Sequence, residues 1–321
     1  MKYKLLSPLL ALVMTISLPL VAGEKVNETL QVKDDIDVEI EHVNGNVDIR
    51  GWDKAEVRVK GELDEKAEEF IFEERNGRIL IQVKIPKNRG GNWGSGGRGD
   101  NLEIFVPIKS HVTYSGVNAD AEISKLERGL DANTVNGNIE AEDISGRIGL
   151  QSVNGKIEGD NLAGDIDMET VNGKIRDRNS SGKKLSLGSV NGNIESRSNI
   201  KDVSVETVNG GIELQLAEVD SLRMDSVNGE MDVSLTLMER GEIEGATVSG
   251  RIYLEVQKNV SASFDITGHA GGNIVNRITD DRMQKAKYGP GRWLEFAVNG
   301  GKAKVELSTV SGRIVLDTQK N

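Results

Sequence analysis

The chain has 321 residues, no cysteine and a formal net charge of −11. So acidic a surface disfavours nucleic acid and, by charge alone, anionic lipid. With no cysteine there can be no disulfide staples, and burial alone must hold the fold.

The chain opens on an export-like segment. Lys2 and Lys4 supply positive charge, Leu5 to Leu20 is apolar with Pro8 and Pro19 interrupting it, and Val21-Ala22-Gly23 offers small residues for cleavage. Residues 1–23 are therefore expected to be a signal peptide, with a mature start near Glu24. Cleavage there removes two lysines and no acids, leaving 298 residues with a charge of −13. No later apolar run is long enough to span a bilayer as a helix.

Residues 24–115 read as an N-terminal β cap region. Ile36-Asp37-Val38-Glu39-Ile40 alternates apolar and polar residues, as a half-buried strand does. Val57-Arg58-Val59 and Ile79 to Val83 are further strands, the latter after an Asn76-Gly77 turn, and Asp64 to Glu69 reads as one short helix. A glycine-rich loop around Trp93 ends in Arg98-Gly99-Asp100, which reads as loop composition rather than a receptor motif.

Residues 116–256 are a repeat. The tripeptide Val-Asn-Gly recurs with its glycine at 137, 155, 173, 192, 210 and 229, in steps of 18 or 19. Diverged copies stand at Gly250 and Gly312, and an outlying copy at Gly45. A self-similar period of this length means units that cannot bury their own apolar faces and must stack on one another. Glycines 137, 146, 155, 164 and 173 fall at steps of nine, dividing each unit into two strand–turn halves. Aligned, the units form columns: Val135, Val153, Val171, Val190, Val208, Val227 and Val248; Ile139, Ile157, Ile175, Ile194, Ile212, Met231 and Ile252; and Leu150, Met168, Leu187, Val205 and Met224. Valines and isoleucines together are expected to form a dry spine.

These columns predict an all-β fold: a parallel β-solenoid of roughly 18–19-residue, two-strand coils with irregular β caps at each end. An antiparallel hairpin meander is the alternative, since Asn-Gly is a strong hairpin signal. Stacking of like on like favours the solenoid. Residues 257–321 bring back aromatics and close on Thr309-Val310-Ser311-Gly312-Arg313-Ile314, as a C-terminal β cap hiding an open edge requires.

The Val-Asn-Gly-x-Ile units follow a segment Gly45-Asn46-Val47-Asp48-Ile49-Arg50-Gly51-Trp52-Asp53. Together with Ile104-Phe105-Val106-Pro107 and the terminal Thr-Val-Ser-Gly-Arg-Ile, they resemble the bacterial DUF4097 family, described as putative adhesins with β-strand repeats. The resemblance implies an exported all-β repeat protein of the cell envelope, and it supplies no catalytic residues.

The repeat-turn residues Asn136, Gly137, Asn154, Gly155, Asn172, Gly173, Asn191, Gly192, Asn209, Gly210, Asn228 and Gly229 have a structural explanation. Asparagine bonds turn amides and can pass hydrogen bonds along a column, and glycine is expected where φ is positive. An outward column holds Glu140, Glu158, Glu195, Glu213 and Asp232, interrupted by Arg176. These carboxylates are weak Ca²⁺ candidates, since a divalent cation would relieve like charges one coil apart.

His42, His111 and His269 are isolated, and no nucleophile turn or phosphate loop occurs. No catalytic residue and no cofactor is therefore assigned, and the chain is expected not to be an enzyme. Trp52, Trp93 and Trp293 are the candidate sugar stackers. The expected function is an exported, non-enzymatic envelope protein, a structural or adhesin-like binding module built on a rod. The alternative is an enzyme or stress-sensor component acting on cell-wall or polysaccharide material. The expected location is periplasmic or cell-surface. The expected partner is an envelope protein or glycan, with the chain itself monomeric or weakly self-associating.

Overall fold

The computed structural model describes residues 23–85 and 99–320. The export-like segment before Gly23, together with Trp93 and Arg98, lies outside the described residues. Every element among the described residues is a strand. The stretch read as a short helix, Asp64 to Glu69, is instead a turn: Ala67 N–H donates to Asp64 O, and Lys66 N–H donates to Asp64 Oδ1. An Asp side chain that satisfies the amide two residues on closes a turn instead of starting a helix.

The repeat strands pair in parallel, each with its equivalent one repeat along. Ile139 lies beside Ile157, Ile157 beside Ile175, Ile175 beside Ile194, and Ile194 beside Ile212. In the other half-unit, Leu150, Met168, Leu187, Val205 and Met224 follow the same rule. A meander would make these ladders antiparallel. Among the described residues, antiparallel pairs belong to the two ends, such as Lys25–Gln31 with Glu56–Glu62 and Ala262–Gly268 with Arg292–Val298.

Both ends stack coils out of sequence order. Strand Asp37–Trp52 pairs in parallel with His111–Leu126 on one side, so the outlying Gly45 copy is a true coil abutting the repeat. On its other side lie Arg78–Lys84 and Asp100–Pro107, which come later in the chain. At the far end Ala303–Thr309 and Arg313–Thr318 dock on the last part of Ile212–Val256. The earlier strands Ala262–Gly268 and Asn273–Asn276 then dock outside them. Antiparallel strands finish the edges at Asp100–Pro107, Arg78–Lys84 and Ala262–Gly268, which ends the run of like-on-like templates there.

The isoleucine and leucine/methionine columns are buried throughout. The valine column is not. Val135, Val153, Val171, Val190, Val208, Val227 and Val248 are 39–45 % exposed, so the expectation that they share a dry spine with the isoleucines is wrong. The reason is the two-residue alternation of a strand. Leu150 and Ser152 point inward, which sends Gln151 and Val153 outward. Serine or threonine takes the inner corner position, and from Thr134 to Ser189 its hydroxyl finds an acceptor on the neighbouring coil, whereas the Thr207 and Ser226 hydroxyls are buried without one. Ser152 Oγ donates to Gly137 O at 3.0 Å, and Thr170 Oγ1 donates to Gly155 O at 3.2 Å.

The turn glycines also have another cause than the one expected. Positive φ occurs at the diverged ends, Gly45 and Gly250, but not at the six interior Val-Asn-Gly glycines. There, a Cβ would strike the carbonyl oxygen of the glycine one coil below, at 1.9 Å for Gly173 against Gly155 O and 1.8 Å for Gly192 against Gly173 O. Close backbone approach, not left-handed geometry, selects glycine. The left-handed positions sit at the opposite corner, at Asp143, Asn161 and Asn179 and at Gly146, Gly164 and Gly182.

The asparagines form a continuous ladder. Asn136 Nδ2 donates to Asn118 Oδ1, Asn154 to Asn136 and Asn172 to Asn154, each at 2.8 Å; Asn191, Asn209 and Asn228 extend it at 2.9–3.2 Å. Each link contributes about 0.5–1.5 kcal/mol, and all of them demand the same register.

Two pairs of variants test this packing by thermal melting. Ile175→Asp, which places a charge at a fully buried rung, is expected to unfold the stack, whereas Glu195→Ala should cost about 1 kcal/mol or less. Gly173→Ala should cost about 2 kcal/mol or more. Gly188→Ala, whose Cβ meets nothing closer than Glu169 Cγ at 3.6 Å, should be near neutral. Equal melting temperatures within either pair would contradict the register.

Candidate functional site

The outward valines turn a packing column into a surface feature. Extending the register, Val43 and Val117 precede Val135, because Asn44 pairs with Asn118 and Gly116 with Thr134. At the other end Val310 continues the ladder beyond Val248, since Val310 N–H donates to Thr247 O. Val310 is 39 % exposed. Successive coils lie about 4.8 Å apart, so the exposed run from Val135 to Val310 is a stripe about 34 Å long.

The stripe is one wall of a groove of about 940 Å³. The facing wall is the outward residue two positions earlier: Asn133, Gln151, Glu169, Gly188, Glu206, Asp225. The floor is the backbone of the serine/threonine column between them, and His269 stands at one end. A contiguous apolar stripe with a polar rim is the usual mark of a contact surface, whereas scattered exposed valines would need no explanation. Sequence reading missed this site because the valines looked like core. The available signal was the invariant Ser/Thr immediately before each valine, which already fills the inward position.

The acidic column singled out for Ca²⁺ lies on the other strand face, and basic residues are interleaved with it. Lys156 Nζ lies 3.1 Å from Glu140 and 3.2 Å from Glu158. Arg176 joins Glu158 at 2.6 Å to Glu195 at 3.3 Å, and Arg251 reaches Asp232 at 3.0 Å. Glu213 meets Gln215 Nε2 at 3.4 Å. Lys174 and Arg176 hold the Glu195 carboxyl below the usual range, the Lys174 hydrogen bond contributing most. For Glu140, Glu158, Glu195 and Asp232, protein cations thus already provide the charge relief that a metal was invoked to supply, while Glu213 has a neutral amide. Among the described residues, the carboxylates close enough to share an ion are Glu242, Glu244 and Glu306. Lys304 occupies that cluster, 2.5 Å from Glu306 and 3.3 Å from Glu242.

The histidines are dispersed. His42 is buried in the corner column, with Nε2 3.1 Å from Asp100 Oδ2 but off the hydrogen-bonding direction. Asp100 is itself 1 % exposed and accepts from Asp64 N–H at 2.6 Å, so the Arg-Gly-Asp tripeptide does not present its carboxylate to solvent. His111 lies 3.2 Å from Asp131. Trp52 donates to Glu56 O at 2.8 Å and packs on Phe105, with Lys54 over its ring. Trp293 lies on an end strand beside Gln284.

One buried carboxyl interrupts an otherwise small or apolar column. Asp177 stands between Gly159 and Ser196, and accepts hydrogen bonds from Ser180 Oγ and, at 2.6 Å, from Ser196 Oγ. Burial raises its pKa above the ordinary value of 3.8, the two serines pull the other way, and Asp160 adds a smaller upward push. Between the ordinary value and the raised folded value, the folded state holds a proton that the unfolded chain has lost. Stability is therefore higher below this window and falls as pH rises through it. Asp177→Asn keeps both partners without the charge. It should be more stable than the wild type at pH 7, the difference closing as pH drops through the folded pKa. Denaturant melts at pH 7 and pH 4 measure this, and a pH-independent difference would contradict it.

Comparison with known proteins gives a family match. The model described as Toastrack DUF4097 matches residues 34–317. No curated protein sequence matches the chain. Among solved structures, the chain is similar to a putative adhesin from Parabacteroides distasonis, at 14 % identity and a TM-score of 0.42 over 92 % of this chain and 98 % of that one. It is similar to a putative lipid binding protein from the same organism, at 12 % identity and a TM-score of 0.41 over 94 % and 99 %. A putative adhesin from Bacteroides fragilis shows 13 % identity and a TM-score of 0.37 over 91 % and 97 %.

Proposed function

Because the chain belongs to the Toastrack DUF4097 family, we propose that it is an exported, non-enzymatic module of the cell envelope, located in the periplasm or at the cell surface. It acts as an adhesin-like binding protein whose contact surface is the valine groove. The observation that carries this reading is the unbroken exposed stripe from Val135 to Val310. Eight equivalent apolar side chains kept at the surface act against solubility, and the fold does not need them there, because the inward serines and threonines already fill the corner.

The site's chemistry supports binding over catalysis. Catalysis needs dissimilar groups converging on one point, such as an acid and a base set apart by environment. Along this groove each coil offers nearly the same groups as the next, and the polar side chains are spread in a line. A line of repeated weak contacts suits an extended partner, on which many small contributions add. The export-like leader supports an envelope location.

The test uses isolated envelope fractions and the mature chain. Wild-type protein should cosediment with the fraction, and a Val171→Glu/Val208→Glu variant with unchanged melting temperature should lose binding by about tenfold or more. Undiminished binding by that variant, or turnover of polysaccharide by the wild type, would overturn the proposal.

A further inference from the structure

The two walls of the groove differ in a way that specifies what can lie between them. The valine wall is uniform. The facing wall changes along the stack: Asn133 and Gln151 are uncharged, Glu169 and Glu206 are acidic, and Gly188 between them has no side chain. Gly188 and its neighbours are in register, Glu169 pairing with Gly188 and Gly188 with Glu206. The gap therefore lies one coil, about 4.8 Å, from each carboxylate and directly across from Val190.

Neither carboxylate has a cationic partner. Glu169 accepts only from Gln151 Nε2, at 3.5 Å, and Glu206 has no side-chain partner among the described residues. This contrasts with the other strand face, where Lys156, Lys174 and Arg176 neutralise the acids, and with Asp225, which Arg223 meets at 3.1 Å. Two unneutralised carboxylates thus flank an open notch beside an apolar stripe.

The walls are two residues apart on one strand, about 6.6 Å between columns. An α-helix about 10–12 Å wide cannot enter such a groove, but a single unbranched alkyl chain can. The carboxylates without a cation flank the notch, and from there toward Val117 the facing wall, Gln151, Asn133 and Ser115, bears no charge until Glu41 beside Val43. That side offers Val171, Val153 and Val135, with half-buried Val117 beyond them, a run of about 19 Å from Val190. An anionic head would be repelled by Glu169 and Glu206, and a polycation would leave charges against the uncharged wall.

We infer that the groove binds a long, unbranched alkyl chain carrying one primary ammonium group. The ammonium sits in the Gly188 notch between Glu169 and Glu206, and the tail lies along the valines toward Val135. This inference rests on the binding role of the groove and adds the identity of its occupant.

Titration calorimetry of the mature chain tests it, using dodecylamine below its micellar concentration, with dodecanoate and spermine in parallel. Dodecylamine should bind saturably, and dodecanoate about tenfold more weakly or not at all. Spermine, which has charge but no long apolar tail, should not saturate. Glu169→Gln/Glu206→Gln should weaken dodecylamine about fivefold without weakening dodecanoate. Val153→Asp should abolish dodecylamine binding, whereas Glu213→Ala, on the strand face away from the groove, should leave it unchanged. All these positions are at the surface, and a melting curve checks folding of each variant.

Equal affinity for amine and carboxylate, tighter binding of spermine, or indifference to the glutamine variant would overturn the inference. So would sedimentation showing that the groove is covered by a second copy of the chain. If dodecylamine does not bind but the Val171→Glu/Val208→Glu variant still loses envelope binding, the occupant is wrong and the contact surface stands. If neither depends on the groove, both readings fail.

Discussion

The fold depends on one constraint: each strand hydrogen-bonds to its own equivalent one repeat away, in parallel and in register. Once that pairing is set, every position in the repeat becomes a column, and whatever a position does it does many times. Burial of an isoleucine contributes about 1.5–3 kcal/mol, so five stacked isoleucines from Ile139 to Ile212 lock the register. The asparagine ladder allows no slip either, because a one-residue shift would set side-chain amides against valines on one side and glycine backbone on the other. The turn glycines impose the same demand from a third direction. Their carbonyls approach the next coil so closely that a Cβ cannot be accommodated. Apolar packing, side-chain hydrogen bonding and backbone proximity agree on a single alignment, and such agreement across levels singles out one structure.

Much of this was legible in the amino-acid order, and the misreadings have a common origin. Period, number of strands per coil, and the buried isoleucine and leucine/methionine columns follow from spacing alone. Periodicity shows that residues are equivalent but not which way they face. Val153 and Ile157 are both β-branched and recur with the same period, yet one is exposed and the other buried. What separates them is parity within the strand, and Ser152 carried that information: its hydroxyl takes the inner corner, where it donates to the Gly137 carbonyl. The same gap explains the glycines. A recurrent glycine is compatible with positive φ or with close approach, and only the distance to the neighbouring coil decides. The out-of-order coils at each end were beyond reach for another reason. The outlying copy at Gly45 marks a coil, but no pattern in the chain says that Arg78–Lys84 and Asp100–Pro107 stack on its far side.

Like-on-like stacking also creates an electrostatic problem, and the two strand faces resolve it differently. On the face bearing Glu140, Glu158 and Glu195, cations from the same coil or the next are threaded between the acids, each pair contributing modestly and screened by salt. The result is a neutralised, solvated surface. On the groove face Glu169 and Glu206 are left without cations, and the residue that would sit between them is a glycine. The exposed valine stripe and the unneutralised acids therefore lie on the same face of the same strands.

Tandem repetition makes such a surface easily, and this bears on the kind of function the fold can support. A repeat that improves one coil is copied along the rod, so it generates linear arrays more readily than a single point where unlike groups converge. Departures from the repeat are then the informative positions, because stacking gives no reason for them. Asp177 is one such departure, a carboxyl placed inside the stack and held by two serines. Gly188 is another, a missing side chain in a wall that is otherwise complete between Asn133 and Asp225. The first lies in the interior and affects stability. The second opens to solvent between two charges and beside eight valines, where a change in one coil alters what the whole groove can hold. On a molecule whose architecture is uniform by construction, specificity must come from the coil that breaks the pattern.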